Sequence, residues 1–163
     1  MQQGEPQKFS FETSVDVIWK LYWEIVRLNH ATPHDIIDMK CFAFNAAVTA
    51  WQLTDWIFED MSDEQRRQFR ISNLAGLKKL ACEQCRALHL CRQIATASKH
   101  RVVRVHYDDS VSTRMDFDRT AAYQWPKWGL VIIDGDKSYP AIDVFEEARL
   151  YWYKFLCGLG LIL

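Results

Sequence analysis

Three residues able to handle a phosphate group arrive together at the end of one helical segment. They are Arg92, Lys99 and His100, within Cys91-Arg92-Gln93-Ile94-Ala95-Thr96-Ala97-Ser98-Lys99-His100-Arg101. Arginine offers a planar fork of donors, lysine a point charge, and histidine a proton donor or acceptor near neutral pH. On a helix Arg92, Thr96 and Lys99 share a face, while His100 lies about 80° around and about 12 Å along from Arg92, so the set borders one groove. Such a group could bind an RNA backbone and assist attack of a ribose 2′-hydroxyl on the adjacent phosphate. The same charges also suit a purely structural role, because Lys99, His100 and Arg101 stand where a helix C-terminus favours positive charge.

A second set of polar residues sits earlier, in the apolar run from Ala43 to Trp56. Asn45, Thr49, Gln52, Asp55 and Glu59 follow steps of four, three, three and four, which places them along one stripe of a helix. If buried, the stripe needs partners, since an unpaired amide or carboxylate costs a few kcal/mol. It then reads as a seam facing the Arg92–His100 helix, with Asp55 or Asn45 orienting a basic residue there. If solvated, it is a polar strip between two packed faces.

The elements that would hold these residues are mostly helical. Thr13-Ser-Val-Asp16 is a capping box, and Val17, Ile18, Leu21, Tyr22, Ile25 and Leu28 recur behind it at helical spacing, predicting a helix over about residues 14 to 30. Thr32-Pro33 opens a second, apolar and central, running to about Glu59. Ser62-Asp-Glu-Gln65 opens a short polar third that fades near Ile71-Ser72-Asn73. Residues 74 to 99 are long for one globular helix and predict a bend near Cys85-Arg86. After His100 the period changes to two. Val103, Val105 and Tyr107, a turn at Asp108-Asp109-Ser110, and Val111 to Phe117 read as a hairpin, followed by a strand at Gly129–Ile133, a turn at Asp134–Lys137 and a strand stub at Ser138-Tyr139. Asp143-Val-Phe-Glu146 reads as the cap of a last helix with Val144, Ala148, Trp152, Phe155 and Leu159 on one stripe. The expectation is a mainly α, α+β fold: one domain over residues 1–163, a bundle of four to six helices with an antiparallel β-meander over 101–139 inserted before the C-terminal helix.

Composition narrows the function. The net charge of −1 argues against a general coat for polyanions. The polar start and the lack of a membrane-length apolar run predict a cytoplasmic protein with no membrane partner. Five cysteines without an export signal predict reduced thiols, and the lone Cys82-Glu-Gln-Cys85 lacks the second pair of a zinc ribbon, so no metal or cofactor is expected. Asp134-Gly135-Asp136 lacks the remaining ligands of a calcium loop, and His30 and His34 flank a helix start rather than forming a ligand set. Neither GxGxxG nor GxxxxGK[ST] occurs, nor a GxSxG elbow. Seven tryptophans exceed what a small core needs, which makes Trp19, Trp23 and Trp152 candidate anchors of an interface.

The helical domain with a small-residue run, an arginine and a terminal histidine resembles the HEPN superfamily over the second to fifth helices. The resemblance implies a dimer, and in active members a composite RNA-cleaving site built from an Arg, four to six residues, then His in each subunit. Here seven residues separate Arg92 from His100, and Gln93, Ile94 and Ala95 occupy the positions with the family spacing. The resemblance therefore implies fold more than activity. Three readings follow: a noncatalytic binding or assembly protein that forms a homodimer or takes another protein partner, a metal-independent endoribonuclease using Arg92, Lys99 and His100 across a dimer, and a nucleotide or small-molecule sensor with its ligand between the Asn45–Gln52 stripe and the sheet.

Overall fold

The structure, a computed structural model, describes residues 11–31, 36–99, 108–118 and 127–162. Within them lie helices α1 (Ser14–His30), α2 (Ile36–Asp60), α3 (Asp63–Gln68), α4 (Leu74–Gln84), α5 (Arg86–Lys99) and α6 (Ala141–Gly158), and strands β1 (Val111–Asp118), β2 (Lys127–Asp134) and β3 (Lys137–Pro140). The fold is mainly helical, with the small antiparallel sheet placed before the last helix, as the periodicity implied. No helix among the described residues is long and apolar enough to cross a membrane.

Local chemistry sets most helix ends. Thr13 caps α1 and Asp16 returns the bond, accepting the Thr13 amide at 2.9 Å; Ser62 and Gln65 repeat the exchange at α3. The long helical stretch breaks at Cys85, whose extended backbone (φ −137°, ψ 104°) ends α4 with its amide on the Ala81 carbonyl and starts α5 with its own carbonyl accepting from Leu88. The last helix departs from expectation. It begins at Ala141 behind Pro140, with no side-chain cap, so Asp143 lies inside the first turn and Glu146 pairs with Arg149 instead. Proline suits that entry because its fixed φ and missing N–H cost nothing where helical amides are unpaired anyway. The Thr32-Pro33 helix start lies outside the described residues.

α2 is the central element and touches α1, α4, α5, α6 and β2. Ala43, Ala46, Ala47 and Ala50 let the neighbouring helices approach closely, and Leu53 and Ile57 fill the lower half of the core. α6 contributes Phe145, Ala148, Trp152 and Leu156, all fully buried, and the Trp152 indole N–H donates to the Ala50 carbonyl at 2.9 Å across the α2–α6 contact. At one end, buried Ser14 anchors α1 to the end of α2: its amide and hydroxyl both donate to Asp60, at 2.7 and 2.6 Å.

The sheet order is β1-β2-β3, antiparallel throughout. The expected first strand, Val103–Tyr107, lies outside the described residues, and β1 pairs with β2 along eight residues from Val111↔Asp134 to Asp118↔Lys127. β2 and β3 are joined through Gly135-Asp136 between the paired Asp134 and Lys137. A two-residue hairpin of that twist needs positive φ, which Gly135 supplies at 61°. Ile132, fully buried, is the sheet's entry into the core.

Candidate functional site

The residues expected to carry phosphate chemistry do not form a described constellation. Lys99 closes α5, and its side chain, like all of His100, lies outside the described residues. Arg92 is half-buried and turned back into the bundle. Its guanidinium sits 5.7 Å from the Trp51 ring centre, on a ring that Lys78 also approaches at 5.8 Å. It also reaches the Cys82 thiol, where its hydrogen bond offsets part of the upward pKa shift that burial imposes. Arg92 thus ties α5 to α2 and α4.

The polar stripe on α2 is correctly spaced, yet it is not a seam against α5. Thr49, buried, accepts from Lys20 of α1, whose ammonium also pairs with Glu24. Asp55 pairs with Lys78 of α4 at 2.9 Å. Asn45, Gln52 and Glu59 are exposed between them. The stripe spans about 120° of the helix, enough for its two edges to meet different neighbours while its middle stays in water. Neither Asn45 nor Asp55 orients a base on α5 among the described residues.

A hollow of about 310 Å³ does open between α2, α5 and β1, lined by Phe44, Gln93, Ile94, Ala97, Val111 and Thr113 among others. Asn45 and Gln52 are not part of it, so the stripe and this hollow are separate features.

The CxxC cysteines behave as small apolar residues. Cys82 is half-buried and Cys85 buried, like Cys91 beyond the motif, and burial pushes all three thiols up, away from the thiolate that redox or metal chemistry requires. Among the described residues no group of three or more His, Cys, Asp or Glu side chains is placed to hold a metal ion.

One charged cluster escaped the sequence reading. Arg86, His89 and Gln93 recur on one face of α5, three and four residues apart, and meet the start of β1 and the end of β2. Arg86 grips Asp134 with two nitrogens, its Nε at 2.9 Å, and reaches Asp108 at 3.4 Å. His89 Nε2 lies 2.9 Å from Asp108 Oδ2. The Ser110 hydroxyl and amide both donate to Asp108 Oδ1, at 2.5 and 3.1 Å, and the Asp108 amide donates to Gln93 at 3.2 Å. Ionised Asp108 can only accept, so His89 Nε2 carries the proton in that contact. The carboxylate stands between hydroxyl and imidazole, so the base beside the Ser110 oxygen is a strongly acidic carboxylate and not the imidazole; the group resembles a catalytic triad in composition but not in order. It is a clasp joining the sheet to α5. The i, i+3, i+7 polar spacing on α5 was visible in the sequence, but its acidic partners are far along the chain.

The bonds from Ser110 and then His89 hold Asp108 down to about 2. A carboxylate with a depressed folded-state pKa stabilises the fold fully above its unfolded value, about 4, and loses that contribution as pH falls towards 2. Asp108→Asn is therefore expected to cost about 1 kcal/mol at pH 7 and to flatten the stability loss between about pH 4 and 2, read by urea unfolding at a series of pH values.

The outer face of α1 leaves large aromatic side chains exposed. At 100° per residue Val15, Tyr22, Val26, Trp19 and Trp23 occupy an arc of about 100°, opposite the core residues Val17, Leu21 and Leu28. Trp19 is 58% and Trp23 56% exposed, and Tyr22 is 37% exposed. The rings brace one another edge to face, Trp19 to Tyr22 at 5.8 Å and Tyr22 to Trp23 at 5.4 Å, and the Arg149 guanidinium of α6 lies 5.8 Å from the Tyr22 ring centre. Exposed Leu150 and Tyr153 add to the apolar surface of α6. Trp152, expected to join Trp19 and Trp23 in an interface, is instead fully buried and hydrogen-bonded. Its position on α6 turns it inward, whereas the other two stand on the side of α1 opposite its core residues and are more than half exposed. No protein-family model, curated protein or solved structure matches the chain.

Proposed function

We propose that this chain is a HEPN-like, noncatalytic binding and assembly protein that self-associates through the outer face of α1. The observation that carries the reading is the pair of tryptophans, each more than half exposed, on the side of α1 opposite the core. A helix apolar on both faces wants a partner on both. Indole rings left in water are costly, while the same rings at the centre of an interface supply most of its binding energy. Edge contacts of each with Tyr22 between them restrict the rotamers in advance, which lowers the entropy lost on association.

The ribonuclease alternative draws less support. Of its three residues only Arg92 has a described side chain, and that one is engaged with Trp51 and Cys82. The two readings separate in one pair of assays. The assembly reading expects light scattering to give twice the monomer mass at micromolar concentration, and expects varied RNA to remain intact in EDTA. RNA cleaved in EDTA by the wild type, and left whole by Arg92→Ala and His100→Ala proteins, would favour the nuclease. A monomer at every concentration reached would remove the assembly reading.

A further inference from the structure

We infer that the occupant of the α1 face is a second copy of the chain, packed with its α1 antiparallel about a two-fold axis near Tyr22. The inference rests on the proposed self-association and adds its symmetry and orientation. The apolar residues Val15, Trp19, Tyr22 and Val26 follow steps of four, three and four, the spacing by which one helix packs its knobs along another. The spacing selects a helix as occupant.

The ends of the seam select its direction. Asp16 and Arg27 lie within about 20° of each other on one flank of α1, eleven residues apart and beside Trp23. Arg27 is exposed and has no ion-pair partner among the described residues. A two-fold axis perpendicular to two antiparallel helices keeps the same flank of each together while reversing their direction. Asp16 then meets the partner's Arg27, and Arg27 the partner's Asp16. The same operation sets Trp19 against the partner's Trp23 and Val15 against the partner's Val26. In a parallel pair the flanks are exchanged, and Asp16 is left facing the α6 side of the other copy, where Arg149 is already paired with Glu146.

The area suits a reversible, concentration-dependent dimer. Trp19, Trp23 and Tyr22 leave about 350 Å² of aromatic surface exposed per copy. Closing two such faces on each other, with Val15, Val26, Asp16 and Arg27, buries about 1,000 Å² in total, the size of a weak, reversible interface.

Charge reversal tests the orientation at low ionic strength, where exposed pairs are least screened. Arg27→Glu leaves the α1 capping box intact and sets two carboxylates against each other at both ends. It is expected to weaken self-association about tenfold, as is Asp16→Lys. Mixed together, the two proteins are expected to form a heterodimer tighter than either homodimer, because both ends regain opposite charges. The mixing result holds even if Asp16→Lys frays the start of its own helix, since both of its dimers share that defect. Dimers that Trp19→Ala weakens, but that ignore both reversals and show no preference on mixing, would overturn the antiparallel arrangement while leaving the α1 interface standing. A wild-type protein that never dimerises would overturn both.

Discussion

Replacing Trp152 by alanine is expected to lower the unfolding free energy by about 4 kcal/mol, the middle of the range for a large aromatic removed from a core. The side chain is fully buried, makes edge contacts with Tyr151 and Phe155, and donates its indole N–H to Ala50. Alanine leaves a void where α6 crosses α2, and the small residues of α2 cannot grow to fill it. A loss of that size is a large share of the 5–15 kcal/mol available to a domain. Trp152→Phe retains most of the volume and loses the hydrogen bond, with an expected cost of about 1–2 kcal/mol. Urea unfolding followed by far-ultraviolet circular dichroism reads both. A Trp152→Ala protein within about 1 kcal/mol of the wild type would contradict the packing described.

The double substitution Trp19→Ala, Trp23→Ala is expected to have the opposite profile. Neither ring is in the core, so the monomer should keep its unfolding free energy to within about 0.5 kcal/mol, as surface changes do. Self-association, by contrast, should weaken at least a hundredfold, because each truncation at the centre of an interface typically costs about 2 kcal/mol and one tryptophan sets the rotamer of the next through Tyr22. The contrast with Trp152 lies in helix position. α1 is amphipathic in the usual sense through Val17, Leu21, Ile25 and Leu28, which are all buried, and the tryptophans are additional to that stripe.

Local features were readable from the sequence because their partners are near in the chain. The Thr13 and Ser62 capping boxes, each closed within three residues, form as expected, and so does the break at Cys85 that an overlong helical period demanded. The same local pattern misled at Asp143–Glu146, since a carboxylate three residues ahead of an acid has the form of a box even inside a helix that Pro140 has already begun. Features set by distant residues were not readable. The period of the α2 stripe was plain, but Thr49 turning to Lys20 and Asp55 to Lys78 depends on which helices flank α2. The clasp of Arg86 on Asp134 spans 48 positions. Composition alone could not separate Trp152 from Trp19 and Trp23, but helical spacing does: Trp152 falls on the Val144–Leu159 stripe that turns inward, whereas Trp19 and Trp23 fall off the Val17–Leu28 stripe of α1.

If the outer face of α1 is an interface, sedimentation velocity over a wide concentration range will register it. The wild-type protein is expected to pass from monomer to dimer as concentration rises, and the Trp19→Ala, Trp23→Ala protein to remain monomeric throughout with an unchanged urea midpoint. Two proteins that sediment alike at every concentration, whether both as monomers or both as dimers, would contradict it.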